Sequence, residues 1–219
     1  MKDKTAIAGI GQTAFGKQLE ASELELACSA VLDALEDAGI ERSEVDGLAS
    51  YTQESSSEVT LARNLGLGDI TWFSQVGYGG GAGPGVLGNL ALAVASGQCN
   101  VGVAWRSRKR ASGAPRRPWA NPQSALTEEI AANYTRPFGV LRPVDEIALL
   151  ASRYMHEYGA TREHFANIAL AQRRYANNNP AAMMYAKTLS RDEYLAARWI
   201  SKPLCLFDNC LETDGALAA

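Results

Sequence analysis

Residues 70–85 read ITWFSQVGYGGGAGPG, a β-rich run that delivers the chain into three consecutive glycines, Gly79, Gly80 and Gly81. The next segment, PGVLGNLALAVAS at 84–96, carries no charge and only Asn89 and Ser96 as polar residues. A helix that is apolar all round is a buried one, and here the pattern predicts burial between two layers of sheet. Pro84 suits its first turn, where the missing N–H is harmless. Glycine costs backbone entropy, so a run of it at the mouth of a buried helix calls for a reason such as a positive φ or a close approach to the backbone.

Working outward, Val101 to Trp105 read as a short strand after that helix, and TAIAGIG at 5–11 reads as a buried strand ending in glycine. A loop, TAFGKQLEA, leads to Ser22 and Glu25, an S-x-x-E capping box for a helix carrying Leu26, Ala30, Leu32, Leu35 and Ala38 before a Gly39 stop. VDGLAS at 45–50 predicts another strand, and SEVTLARNL at 57–65 a short helix. Alternating strands and helices imply an α/β layered fold.

Beyond Trp105 the alternation breaks into RSRKRASGAPRRPWANPQ and a mixed segment, an excursion from the layered core. Helices are predicted over 143–158 and 161–176, on either side of Gly159, the second with Thr161 as N-cap and His164 three residues on. NNNP at 177–180 is a turn, 190–199 reads as helix, and a turn at Asp214-Gly215 leads into a strand as the sequence closes. The organisation expected is a core at 1–105, an inserted helical loop region at 106–200 and a return into the core at 201–219.

Composition narrows the function classes. A content of 47% hydrophobic and 21% charged residues over 219 positions is that of a soluble globular protein. A net charge of −3 lacks the basic excess of a general nucleic-acid binder. No apolar run approaches the roughly 18 residues of a membrane span, and the opening residues do not form a signal-peptide core, so the reading is cytoplasmic. Cys28, Cys99, Cys205 and Cys210 lack zinc-site spacing, and no metal site is expected. With only His156 and His164 present, and neither beside a nucleophile motif, a Ser/His/Asp or Cys/His system has little to work with.

The glycine run admits three readings. GPGVLG at 83–88 formally satisfies G-x-G-x-x-G, but no Asp or Glu lies between Asp69 and Glu128, so the ribose-binding carboxylate of an NAD site is missing and only an arginine-based NADP site stays open. Alternatively the glycines let a buried helix pack closely on strands, which accounts for Gly85 and Gly88 better than for Gly79 to Gly81. In the third reading, amides at a buried helix N-terminus form a site for an anion or a developing oxyanion.

VGYGGGAG, the helix ending in AVASGQ and the strand VGVAW resemble the thiolase-superfamily segment in which a cysteine nucleophile sits in V-N-x-x-C-x-S-G. TAIAGIGQTAFGK, LELACSAVLDALEDAGIERSEVDGL, RYMHEYGATREHFANIAL, RRYANNNPAA and PLCLFDNCLETDGA extend the likeness over nearly the whole sequence. Within the superfamily the chain is similar to the lipid-transfer-protein branch, related to sterol-carrier-protein thiolases, and to its actinobacterial steroid side-chain-cleaving aldolases. The resemblance implies a thiolase-like layered αβαβα fold, of which this sequence holds the N-terminal half plus the inserted loop region. Acid and base residues of the family come largely from the other half.

On the family motif the cysteine position falls at Gly80 and the serine position at Ala82. Without a thiol no acyl-enzyme forms, so covalent thiolysis is not expected, and residual thiolase activity would have to arise despite Gly80. A retro-aldol reaction needs only a base for a β-hydroxyl proton and donors for the enolate. The branch resembled cleaves a 17-hydroxy steroid C20-carboxyl-CoA thioester to a 17-ketone and propionyl-CoA. Tyr78, Gly80 and Gly81 are then the candidate pocket and oxyanion residues. Arg108, Lys109 and Arg110, with Arg106, Arg116 and Arg117 in the same acid-free stretch, read either as a solvated loop or as contacts for coenzyme A phosphates or an acidic partner. Coenzyme A enters as part of the substrate, with no covalently bound cofactor. Implied partners are a second copy, docking through ITWFSQV, and a zinc-ribbon/OB-fold subunit that carries any zinc. The rival reading is a non-catalytic acyl-CoA or lipid-binding subunit that scaffolds a partner enzyme. Asp214 is assigned to shaping a turn.

Overall fold

The computed structural model describes residues 3–52, 54–77, 81–112 and 134–219. In chain order its regular elements are β1 (Gly11–Gln12), α1 (Glu23–Ala38), β2 (Gly47–Tyr51), α2 (Glu58–Leu65), β3 (Trp72–Val76), α3 (Ala82–Ala95) and β4 (Gly102–Lys109). After these come α4 (Pro143–Tyr158), α5 (Arg162–Asn177), α6 (Arg191–Ala196), β5 (Trp199–Ser201), β6 (Leu204–Cys205) and β7 (Asp214–Ala218). They fall into two compact units, Met1–Ala114 with Glu212–Ala219, and Pro115–Leu211. The sequence boundary at 105 cuts through β4, which continues to Lys109 because Ser107, Arg108 and Lys109 pair with Ala216, Gly215 and Asp214 of β7.

The first unit is a five-stranded sheet in the order β1-β7-β4-β2-β3. β3, β2 and β4 run parallel, with Gly47 opposite both Trp72 and Gly102, while β7 lies antiparallel to β4 and to β1. α1 starts at the expected box: Ser22 accepts from the Glu25 N–H and the Glu25 carboxylate from the Ser22 N–H. It ends at Gly39 in the left-handed region, φ 67°. Its buried face, Leu26, Ala27, Ala30, Val31, Ala34 and Leu35, joins Leu48, Val103 and Trp105 in the main core on one side of the sheet. On the other side Val86 and Leu90 of α3 pack against Ala49 and Ala104.

Two expectations are met in part among the described residues. Of the strand predicted over 5–11, only Gly11 and Gln12 pair, opposite Ala218 and Leu217. Among the described residues no strand is paired with residues 5–9. The two glycines of this stretch have a packing role, since a Cβ on Gly9 would stand 2.2 Å from the Ala34 carbonyl oxygen and one on Gly11 1.9 Å from that of Ala30. Among the described residues a sheet covers helix α3 on one side. One face packs on the strands, and on the other Leu92 stays 52% exposed among the described residues.

Asp214 opens β7 and is not part of a turn. Its fully buried carboxylate accepts from the N–H groups of Leu19, Ala111 and Ser112 and from the Ser112 hydroxyl, tying three segments together. Burial pushes this carboxyl up, but those donors outweigh it and hold the pKa below the ordinary value.

In the second unit, α5 begins at Thr161 as expected, with the His164 Nδ1 accepting from the Thr161 N–H. Tyr194, wholly buried, packs with Ala166, Ala169 and Cys205 and donates its hydroxyl to Asp208 at 2.6 Å. The helix predicted over 190–199 stops at Ala196, because residues 199–205 form a two-stranded hairpin, β5 with β6. The return expected from 201 therefore begins at Glu212.

Asp214→Asn presents an amide donor to a site built of donors and should cost about 2–3 kcal/mol at pH 7. The Asp214 contribution is complete above the unfolded carboxylate pKa of about 4 and is lost as pH falls through the lower folded value. Urea denaturation of the two proteins at pH 7 and pH 3 should show the gap narrowing in acid.

Candidate functional site

Strands β2, β3 and β4 are parallel, and ligands of α/β sheets gather beyond the carboxyl ends of such strands. Here those ends are Tyr51, Val76 and the Arg106 region of β4, knit by a hydrogen bond from the Thr52 N–H to the Val76 carbonyl at 3.1 Å. From Val76 the chain enters the glycine run. Tyr78, Gly79 and Gly80 lie outside the described residues, as do Arg116 and Arg117.

Gly81 is described, and it is the N-cap of α3, with φ −88° and ψ −3° and no side chain capping the helix. Its carbonyl accepts from the Gly85 N–H at 2.9 Å, which closes the first turn. Pro84 contributes no donor there. The start of this largely apolar helix has no side-chain cap, and uncapped first-turn amides favour negative charge.

No thiol is positioned to act as a nucleophile among the described residues of this helix start. Cys99 lies past the opposite end of α3, and burial pushes its thiol above the usual range, with Asp46 adding to the effect. Burial likewise raises the Cys28 thiol, on α1. A protonated thiol is a poor nucleophile. The acidic shift of Asp46 has a different origin: burial raises it, but the amides of Val101 and Asn100 and the Asn100 side chain outweigh that and hold it low. Asp46 ties β2 to the start of β4.

The described part of the basic stretch is not a free loop. Arg106, Arg108 and Lys109 belong to β4, where pairing with β7 keeps the backbone extended, and Arg110 comes directly after. Each of the candidate phosphate contacts is engaged within the unit. Arg108 stands 3.9 Å from Glu23, Lys109 donates its ammonium to the Leu19 carbonyl at 2.6 Å, and Arg110 stands 3.9 Å from Glu212.

A group that sequence reasoning missed lies beside them. Glu54, whose side chain has no exposed surface, takes a hydrogen-bonded ion pair from Arg106 and the Ser107 N–H at 2.9 Å. The Arg106 guanidinium lies 4.8 Å from the centre of the Tyr51 ring. Burial pushes the Glu54 carboxyl up, more than the Ser107 N–H and Arg106 pull it down. Only its placement in TQESSS, a serine-rich loop with one acid, marked it in the sequence, and that carries no pairing information.

No protein-family model matches the chain. It is 44% identical over 220 residues to a steroid side-chain-cleaving aldolase of Thermomonospora curvata, covering 97% of this chain and 55% of the relative. It is 41% identical over 223 residues to a 17-hydroxy-3-oxo-4-pregnene-20-carboxyl-CoA lyase of Mycobacterium tuberculosis, covering all of this chain and 57% of the relative. The chain thus spans about half the length of the curated relatives it matches. Among solved structures, an Ltp2-ChsH2(DUF35) aldolase superposes with a TM-score of 0.88 at 45% identity, over 97% of this chain and 54% of that one. A monomeric SCP2-thiolase-like protein of Mycobacterium smegmatis shares the fold at a TM-score of 0.68 and 19% identity, over 97% of this chain and 44% of that one.

Arg106→Ala would leave Glu54 buried without its cation. With the guanidinium partly in solvent, the expected loss is about 2 kcal/mol. Because the folded Glu54 pKa is raised, stability from this group is full below the unfolded value of about 4 and declines as pH rises through the folded one. Removing Arg106 raises it further, so chemical denaturation should show a larger loss at pH 7 than at pH 5, and Glu54→Gln in the same chain should recover part of it.

Proposed function

We propose, for a thiolase-like chain related to the steroid side-chain-cleaving aldolases, that it forms part of an enzyme catalysing retro-aldol cleavage of a β-hydroxyacyl-CoA thioester. The observation that carries this is the glycine at position 80, where the resembled thiolase motif places its cysteine, in a chain 41–44% identical to an aldolase and a lyase over nearly all its residues. The substrate class is a 17-hydroxy steroid bearing a C20-carboxyl-CoA side chain, in line with the names of those relatives.

In the reaction a base takes the proton of the C17 hydroxyl. The new C=O forms as the C17–C20 bond breaks, and its electron pair passes to the thioester as an enolate. Protonation at C20 gives propionyl-CoA and leaves the 17-ketone. Every atom is accounted for without a nucleophile from the protein. The part of this chain is to hold the thioester and to stabilise the enolate oxygen through amides at the start of α3, at Gly81 and its neighbours, the largest single effect such a site can supply. Gly80 makes room for a bulky acyl group, and Tyr78 contributes to substrate binding.

The partner reading runs along the same line. The related aldolase structure is a complex with a DUF35 protein, and a zinc-ribbon/OB-fold subunit is the partner proposed for this chain. Among the described residues β3 is one of the two edge strands of the sheet, with Phe73 65% exposed, which suits pairing with a second copy. Among the described residues no helix is long and apolar enough to cross a membrane, and a cytoplasmic location is proposed with the acyl-CoA substrate. Coenzyme A contact through Arg108, Lys109 and Arg110 stays part of the proposal, in competition with their partners within the unit.

The test is to incubate the intact protein and its partner subunit with the C20-carboxyl-CoA thioester and to follow products by mass spectrometry. Equimolar 17-ketone and propionyl-CoA are expected without added coenzyme A. Binding with no product would overturn the aldolase reading and assign the chain to an acyl-CoA-binding subunit. Gly80→Cys should lower aldol cleavage by crowding the pocket, and CoA-dependent cleavage gained by that variant would mean that only the thiol was lacking for thiolysis.

A further inference from the structure

The Glu54 side chain is wholly withdrawn from water, while Arg106, its partner, keeps 36% of its side-chain surface. Taking a carboxylate out of water is costly, and a well-packed apolar pair of similar size commonly holds a fold at least as well. What the ion pair provides instead is a guanidinium in a fixed place. Glu54 is set by backbone on both sides: its N–H donates to the Tyr51 carbonyl at 2.8 Å, and its carboxylate accepts from the Ser107 N–H at 2.9 Å. Arg106 donates to that carboxylate through Nη1 and lies over the Tyr51 ring, 4.8 Å from its centre. An exposed arginine gives up rotamer freedom when it holds a ligand, and here that freedom is already given up.

The sheet register places this guanidinium. Ser50 lies opposite Trp105, and Tyr51 lies opposite Val76. One step beyond Trp105, Arg106 is therefore level with Tyr51, and Arg106, Tyr51 and Val76 form a row across the carboxyl ends of β4, β2 and β3, about 10 Å from end to end. The three share a face. Tyr51 and Val76 pack against the cluster of Ala49, Ala104, Val86 and Leu90 under α3, and Arg106 stands two residues after Ala104 on the same strand. Val76 leads into the glycine run and also meets the first turn of α3, where a Cβ on Gly85 would come 3.3 Å from its Cγ1. The held guanidinium thus lies on the α3 face, two strands from the chain that enters the glycine run.

We propose that Arg106 donates hydrogen bonds to the thioester carbonyl oxygen of the acyl-CoA, with Glu54 and Tyr51 as positioning residues that hold it there. This rests on the acyl-CoA reading of the site given above. A guanidinium carries several N–H donors in a rigid fork, and Glu54 engages only one side of it. The Glu54 carboxylate also offsets the positive charge, which makes the position poor for a phosphate dianion and leaves it suited to a single carbonyl oxygen. As the C17–C20 bond breaks, that oxygen gains negative charge, and donors already in place strengthen at that moment without reorganising. Arg106 is in this way set apart from Arg108, Lys109 and Arg110, for which the phosphates of coenzyme A are the proposed contact.

Titration calorimetry on the intact protein with its partner subunit reads this contact without turnover. The ligands are the 17-deoxy analogue of the C20-carboxyl-CoA thioester, which lacks the hydroxyl that cleavage requires, and the matching thioether, in which CH2 replaces C=O. The unaltered protein should bind the thioester about tenfold more tightly than the thioether. Arg106→Gln made together with Glu54→Gln, so that no unpaired carboxylate is left buried, should bring the two within about twofold, and Arg106→Lys should recover part of the difference. An unaltered protein that does not distinguish the ligands overturns the proposal, as does a double variant that weakens both equally. With the 17-hydroxy substrate the double variant should lower kcat about 100-fold while KM rises far less, and a change confined to KM would overturn the role at the enolate. If the unaltered protein releases no product yet prefers the thioester, the aldolase reading fails and the Arg106 contact stands.

Discussion

The first unit depends on β4 being paired along both edges, in parallel to β2 and antiparallel to β7. That double pairing brings residues more than a hundred positions apart into one sheet and fixes which faces α1 and α3 can cover. Val103 and Trp105 then point into the core beneath α1, while Ala104 lies under α3. Small residues on the α3 side allow close packing: a Cβ on Gly102 would come 2.4 Å from Leu90. Since β7 carries the antiparallel half of this arrangement, the carboxylate that opens β7, Asp214, acts as a clasp between the strand, the end of β4 and the loop at Leu19.

The same ladder determines the fate of the charges. A run of six basic residues without an acid between them looks in the sequence like a surface for anions. Folding supplies the acids from elsewhere: Glu23 from the start of α1, Glu54 from the loop after β2 and Glu212 from the approach to β7. The pair with the greatest energetic consequence is the buried one, Glu54 with Arg106, because an unpaired charge out of water is far more costly than one in it. These acids sit 52 to 102 residues away from their partners, a span over which local pattern carries no information.

At the glycine run the proposed chemistry rests on what is missing as much as on what is present. A helix start without a capping side chain keeps its amides available, and the absence of a thiol at position 80 removes the route through an acyl-enzyme. The proposed stabilisation of an enolate uses the first feature and needs no thiol.

Local signals were legible wherever the physics is local. The Ser22 and Glu25 box, Gly39 in the left-handed region, the helix from Pro143 to Tyr158 and the N-cap at Thr161 were all readable from a few neighbouring residues, because capping and helical periodicity act over one or two turns. The absence of a cysteine at position 80 was likewise a matter of residue identity. What only the tertiary structure decided was pairing. That TAIAGIG is a strand only at its last glycine, that β4 runs on through the basic residues, that 199–205 is a hairpin and not the end of a helix, and that Glu54 lies buried against Arg106 all depend on which distant backbone lies alongside. A strand is completed by its neighbours and a buried charge by its partner, and neither is encoded within the segment that needs it.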